Sequence, residues 1–311
     1  MSDKLDKNIL ATIVYYDGLN YPLTAFEVWK YLIRTDYYAK SNDVIKITSA
    51  QVSSRLQDKK IDKYLEHLNG FYFLKGRKDL VERRIANNKI SAGKIKKLER
   101  IVWWLRFVPY VRMIGITGAL AMKNAHAKSD LDLLIVLKHG KIWTGRTLVT
   151  GALHFLKQRR HDSKIADRVC LNFFVTDQSL EVITKDLFSA NEYMFLFPLY
   201  GYDVYTKFQI KNQWIKNMKP SYALGELAPI RIISDSFASN IFKEIGEFIF
   251  SPMWIENILR KIEKKRIMRN PKTHQEGSLV YANDDALVFL PNPHGPVVFE
   301  KFKEKIEELT A

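Results

Sequence analysis

Leu5, Ile9, Leu10, Ile13 and Val14 recur at helical spacing and predict a helix over 4–16. Asp17-Gly18-Leu19-Asn20-Tyr21-Pro22 reads as a turn, and Thr24 with Glu27 three residues on forms a capping box that starts a second helix through Phe26, Val28, Trp29, Tyr31 and Leu32. A third helical pattern opens at Ser49 and runs through Val52, Leu56, Ile61, Tyr64, Leu65 and Leu68 to a stop at Asn69-Gly70. Two strand-like runs follow, Phe71-Tyr72-Phe73-Leu74 and Leu80-Val81, around the basic turn Lys75-Gly76-Arg77-Lys78-Asp79. One long helix is expected over 83–106, with Ile95, Leu98, Ile101, Val102 and Leu105 as its packing stripe.

Beyond Pro109 the period changes. Val111 to Gly118 reads as a strand and a glycine turn, with a short helix around Leu120–Lys123. Leu131 to Val136 reads as a second strand, entered through Ser129-Asp130-Leu131-Asp132. A helix over 142–160 and a strand over 168–175 come next. Residues 185–219 are rich in aromatics, which read chiefly as core, with Tyr200 or Tyr202 the exceptions because Gly201 opens the local chain. Residues 231–269 read as helix broken at Pro252, through Phe237, Ile241, Ile245, Phe248 and Ile249. Residues 270–299, with four prolines, read as loops and short strands, and a last helix is expected from Phe299 to about Leu309.

The formal charge is +15, and residues 1–219 carry all of the excess, while 220–311 are close to neutral. That field suits a polyanionic partner, nucleotide or nucleic acid, although a basic surface kept for solubility gives the same count. Three helices followed by a basic hairpin is the order of a winged helix-turn-helix, a unit that reads DNA or RNA in many proteins and docks protein or pads an enzyme in others. The basic face of the 83–106 helix and the Arg260–Arg269 run fit either such contacts or solvated helix surfaces. One cysteine, Cys170, excludes a disulfide framework or a cysteine-based zinc cluster. The charged opening residues lack the apolar core of a signal peptide, and no apolar run reaches membrane-spanning length. A soluble, cytoplasmic protein without membrane contact is expected.

The chemistry concentrates at Asp130 and Asp132. Alternate residues of a strand share a face, so these carboxylates point together while Leu131 and Leu133 enter the core. Two carboxylates so placed can hold magnesium or manganese beside nucleotide phosphates, or are simply two exposed aspartates at a strand mouth. Gly118 lets backbone approach a phosphate, and the N–H groups after it can donate to that anion.

Gly118-Ala119, ten intervening residues and Asp130-Leu131-Asp132 entering an apolar strand resemble the signature of the DNA polymerase beta-like nucleotidyltransferases. The resemblance covers about 107–180. It implies Gly118 as the phosphate-facing turn, Asp130 and Asp132 as metal ligands, and transfer of a nucleoside monophosphate from an NTP with release of pyrophosphate. Two departures stand out. The family's serine is Ala119, which leaves only backbone donors there. Its third carboxylate, from a later strand, is Asn172, an amide that cannot act as a base and binds a hard cation poorly. Asp167 and Asp177 have the wrong parity to replace it. Lys128 and Ser129 before the Asp-x-Asp strand, and Arg146 near the start of the 142–160 helix, are further candidates for phosphate contact. The run Lys157-Gln158-Arg159-Arg160-His161 complements that helix's dipole or touches phosphate or an acceptor strand.

The expected architecture is α+β. A winged-helix domain (1–84), a linker helix (85–106), a nucleotidyltransferase domain of small mixed sheet and helices (107–183) and a mainly helical region with a loop-rich tail (184–311) follow in order. Three functions remain open: an NTP-using nucleotidyltransferase, a DNA- or RNA-binding protein whose transferase domain has lost its chemistry, and a toxin–antitoxin-type component that nucleotidylates a protein.

Overall fold

A computed structural model describes residues 4–36, 47–161, 164–223 and 232–310. Residues 1–3 of the charged opening segment and residue 231, where the long C-terminal helical pattern begins, lie outside them.

Helix α1 (Lys4–Gly18) is covered on almost every side, with Ile9, Leu10, Ile13, Val14, Tyr15 and Tyr16 all buried. Strand β1 (Leu23–Thr24) leads into α2 (Ala25–Lys30), and the capping box of Thr24 and Glu27 is formed on both sides. Helix α3 (Ser49–Leu56) begins with a second capping box, between Thr48 and Gln51. The helix expected as far as Leu68 is not continuous. Asp58 caps a separate short turn, α4 (Lys59–Asp62), and Leu65–Leu68 is strand β2. It pairs antiparallel with β3 (Phe71–Leu74), Leu65 opposite Leu74. Asn69-Gly70 is therefore the hairpin turn, both residues at positive φ, which is the two-residue turn that an Asn-Gly pair favours. Leu65 and Leu68 fit a helical spacing as well as a strand, and pairing with Phe71–Leu74 decides between them. The small sheet has the order β1-β3-β2.

Leu80 and Val81, expected as strand, lie buried in the first turn of α5 (Asp79–Leu105). This helix is about 40 Å long and buries the expected stripe of Ile95, Leu98, Ile101, Val102 and Leu105.

The second sheet mixes directions, in the order β7-β4-β5-β6-β9-β8. Its centre is β4 (Val111–Ile116) and β5 (Leu131–Leu137), antiparallel and apolar on both faces, joined through the short helix α6 (Gly118–Ala121). Helix α7 (Ile142–Phe155) crosses over to β6 (Val169–Thr176), which lies parallel to β5; a parallel neighbour requires such a crossover. Helix α8 (Leu187–Met194) precedes β7 (Phe197–Tyr200), which covers the free edge of β4. Helices α9 (Tyr202–Lys211) and α10 (Ile215–Met218) follow. The long C-terminal helical pattern is two helices, α11 (Phe237–Ile249) and α12 (Met253–Met268), separated at Pro252 as the sequence indicates. After a 3₁₀ turn at Pro271–His274, β8 (Leu279–Ala282) and β9 (Ala286–Leu290) join the same sheet at the edge of β6. The sheet thus draws three strands from beyond residue 183. Helix α13 (His294–Thr310) starts five residues earlier than expected and packs against α1, with Phe302 edge-on to Tyr15.

Candidate metal and nucleotide site

Asp132 is the first outward-facing residue of β5 and Asp130 sits two residues earlier, at the strand's mouth. Across the parallel pair, Cys170 of β6 is in register with Asp132. One polar atom from each of Asp130, Asp132 and Cys170 falls within 4.8 Å of the others. Asn172, two residues along β6, points its amide nitrogen at Asp132 Oδ1 at 3.4 Å. The period-2 reading of both strands is therefore correct: the two aspartates and Asn172 meet on one face.

The glycine turn meets them there. Gly118 has φ +65, and a Cβ on it would stand 3.0 Å from Asp132 Oδ2. A side chain at this positive φ would be strained and would press on that carboxylate, which glycine avoids. Thr117 is pinned from its backbone N–H to the Asp132 carbonyl at 3.2 Å. Ala119 follows, exposed at the start of α6.

Two further residues meet this site, one that the sequence does not mark and one that it marks only within the basic run Lys157–His161. The first is Glu192 of α8, whose Oε1 accepts the Gly118 N–H at 2.6 Å and which also takes a hydrogen bond from the Thr117 side chain. The second is Arg160, whose Nη1 lies 2.6 Å from Asp130 Oδ2 and 3.5 Å from Cys170 Sγ. Arg160 reaches them because α7 ends at Phe155 and the basic run leaves it. The Val169 N–H donates to the Gln158 carbonyl at 2.8 Å and the Arg160 N–H to the Val169 carbonyl at 3.1 Å, which lays residues 158–160 along the start of β6. The run therefore lies past the helix whose dipole it was expected to complement.

The remaining candidates are placed differently. The Ser129 hydroxyl accepts the His126 N–H, and its carbonyl accepts from Lys94 Nζ at 2.9 Å. Lys94, buried on α5, also holds the Ala127 carbonyl and Asp167, and Lys97 bonds the Asp167 carbonyl. Part of the basic face of α5 is thus spent on fixing the loop that delivers Asp130. Lys128 is exposed beside that loop. Arg146 lies at the other end of β5: its neighbour Gly145 packs on Leu137, five residues beyond Asp132, or roughly 17 Å along a strand. The Arg146 guanidinium pairs with Glu263 of α12 and lies over the Phe289 ring. The expected triphosphate contact from Arg146 is therefore not available in this arrangement. Tyr200 is buried, its hydroxyl donating to Asp235 and accepting from Lys243, so it too is not an open stacking face.

Electrostatically the site is short of positive charge. Burial first, then the charges of Asp130 and Glu192, push the Asp132 carboxyl up to about 7, against the pull of the Asn172 amide and Arg160. Burial raises Glu192 as well, partly offset by its bonds to Gly118 and Thr117. Burial and the two aspartates drive the Cys170 thiol up to about 12, so it stays protonated at neutral pH. A neutral thiol is a poor ligand for a hard cation, which leaves the carboxylates as the useful donors. Three carboxylates crowd here against one guanidinium, and a divalent cation suits that imbalance.

No protein-family model, curated protein or solved structure matches the chain. The site stands on its own geometry. Among the described residues, no helix is long and apolar enough to cross a membrane.

Proposed function

We propose that this chain is a metal-dependent nucleotidyltransferase. The observation that carries the reading is the meeting of Asp130 and Asp132 with the positive-φ turn at Gly118, at the mouth of one apolar strand. Asp130 and Asp132 would hold magnesium or manganese, which supplies charge neutralisation on the phosphates of an NTP. The Ala119 N–H would hold a phosphate, without the hydroxyl that Ala119 lacks; the Thr117 and Gly118 N–H groups are bonded to Asp132 and Glu192. An acceptor oxygen would then bond to the α-phosphorus as the bond to pyrophosphate breaks. The acceptor's proton needs a carboxylate, and Asn172 cannot take it. Glu192, bonded to the turn from α8, would replace the missing one. In this reading Arg160 moves from Asp130 to the incoming phosphates, exchanging one anion for another.

The deciding experiment is NTP binding by calorimetry, with and without Mg²⁺, in the wild type, Asp130→Asn and Asp132→Asn. Binding that requires both the metal and the aspartates is the expected result. Absence of binding by the folded wild type would overturn the reading.

A second reading is favoured by Asn172 and by the Arg160–Asp130 pair, which already satisfies one aspartate. In it the domain is a catalytically degenerate relative of the transferases, and the basic N-terminal unit, read as a winged helix, binds DNA or RNA. A binding constant for duplex DNA or RNA that falls steeply with salt, with no NTP binding, would support this reading. Transfer of a nucleotide onto a protein would instead select the toxin–antitoxin-type alternative within the enzyme reading.

A further inference from the structure

Helix α11 faces the wrong way for a helix on a monomer's surface. Its polar side is turned inward. Ser239 is fully buried, Lys243 reaches Tyr200 and Asp235, and Glu247 binds the Tyr110 N–H, Arg112 and Lys138. Gly246 lies so close to Pro109 that a Cβ there would stand 2.3 Å from the ring. These contacts fix the helix's rotation. They leave Phe237, Ile241, Phe242, Ile245, Phe248 and Ile249 facing outward, with Phe237 83% and Phe248 81% exposed. The regular helical spacing seen in the sequence is real, but it describes an outer face and not a core.

The patch continues past α11. Phe242 stacks edge-on with Phe107 at 6.0 Å, and Phe107 touches Trp103 and Trp104 at the end of α5, both exposed. With aromatic side chains presenting about 150–250 Å² each, the six side chains of α11 and these two tryptophans leave on the order of 800 Å² of apolar surface in water. That exceeds the roughly 300–600 Å² of the largest patch on a typical monomer. It equals the roughly 800 Å² that each partner contributes to a stable interface.

We infer that α11 and the end of α5 form a homodimer interface, two copies of this chain packing α11 against α11 about a two-fold axis. Charge selects this occupant. Among the outward positions of α11 the only ionised side chain is Glu244, since Lys243 and Glu247 are turned in and paired. The patch's one positive charge is Arg106, which lies over the Trp103 and Phe107 rings with Nη1 bonded to the Ser234 carbonyl, so the face carries no cluster of cations for an anionic lipid surface or a nucleic acid. It carries almost no like charge to repel its own copy, and a two-fold arrangement needs only a patch complementary to itself. The repulsion that does act comes from the chain's net +15, which salt screens.

The test is light scattering on the full chain across micromolar concentrations, at low and high salt, with Phe248→Glu and Ile245→Asp as variants. The expected mass is twice 36.3 kDa, with dissociation weakened by salt. Each variant weakens the dimer by at least about tenfold while thermal stability measured on the monomer is kept, because both side chains are exposed there. A wild type that stays monomeric overturns the inference, and so does a dimer that neither variant affects. Sedimentation of a monomeric wild type with phosphatidylglycerol vesicles, lost in Phe248→Glu, would overturn it in favour of a lipid surface. None of these outcomes depends on nucleotide binding.

Discussion

Arg160 Nη1 sits 2.6 Å from Asp130 Oδ2, so a cation arriving at the aspartates finds one of them already paired. Arg160 and a metal ion therefore compete for Asp130. Arg160→Gln is expected to tighten Mg²⁺ binding in the absence of nucleotide by a factor of a few, and to weaken NTP binding if the guanidinium transfers to phosphate. Calorimetric titration with Mg²⁺ alone and then with NTP separates the two effects.

Glu192 ties α8 to the turn at Gly118. Glu192→Ala leaves the Gly118 N–H and the Thr117 hydroxyl without their acceptor, a loss of about 1–3 kcal/mol. Glu192→Gln keeps an acceptor oxygen and is expected to retain most of that stability. If the carboxylate also accepts the acceptor's proton, the Gln variant folds normally and binds NTP yet transfers nucleotide far more slowly. Thermal unfolding together with single-turnover transfer distinguishes support of the turn from participation in the reaction.

Arg146 belongs to the scaffold in this structure, paired with Glu263 over the Phe289 ring. Arg146→Ala leaves Glu263 without its partner in a largely buried place and is expected to cost about 3 kcal/mol. NTP affinity measured well below the melting temperature should not change. A selective loss of NTP binding at unchanged stability would return Arg146 to the phosphates.

Lys219 is wholly buried, its Nζ donating to the Tyr16 hydroxyl and the Tyr31 carbonyl over the rings of Tyr15 and Tyr16. Burial holds its pKa well below 10.5, and the same burial keeps the surrounding phenols neutral. Below the folded-state pKa the native protein carries the whole cost of the buried charge. As pH rises from there towards 10.5 the unfolded chain binds more protons than the folded one, so this contribution to stability increases with pH. Lys219→Met should be more stable than the wild type at neutral pH by several degrees, and the gap should close as pH approaches 10.5. Melting curves across that range provide the measurement.

The parts of the site legible in the sequence are those set by local rules. Strand alternation places Asp130 and Asp132 together, and it places Asn172 beside them once β6 is recognised. The capping box at Thr24 and the break at Pro252 are equally local. Glu192 lies 74 residues from the N–H it binds, and nothing in its own neighbourhood marks it. Arg160 was visible only as part of a basic run, because where α7 would end decides whether it reaches Asp130. A similar limit holds for β8 and β9: their residues read as short strands in a loop-rich tail, and only pairing with a strand more than a hundred residues earlier places them in the large sheet. For α11 the spacing shows that the helix has an apolar face and does not show what that face meets.

The order of strands in the large sheet also bears on how the protein is made. β6 pairs on one side with β5, a near neighbour in sequence, and on the other with β9, whose Leu287 and Val288 lie opposite Phe174 and Phe173. During synthesis Asp130, Asp132 and Asn172 leave the ribosome long before β9 does. Until then β6 lacks its second neighbour, and the edge bearing Phe173 and Phe174 is unpaired. A nascent chain that has β6 outside the ribosome but not yet β9 holds an unfinished sheet, with that edge exposed to strand exchange with other chains.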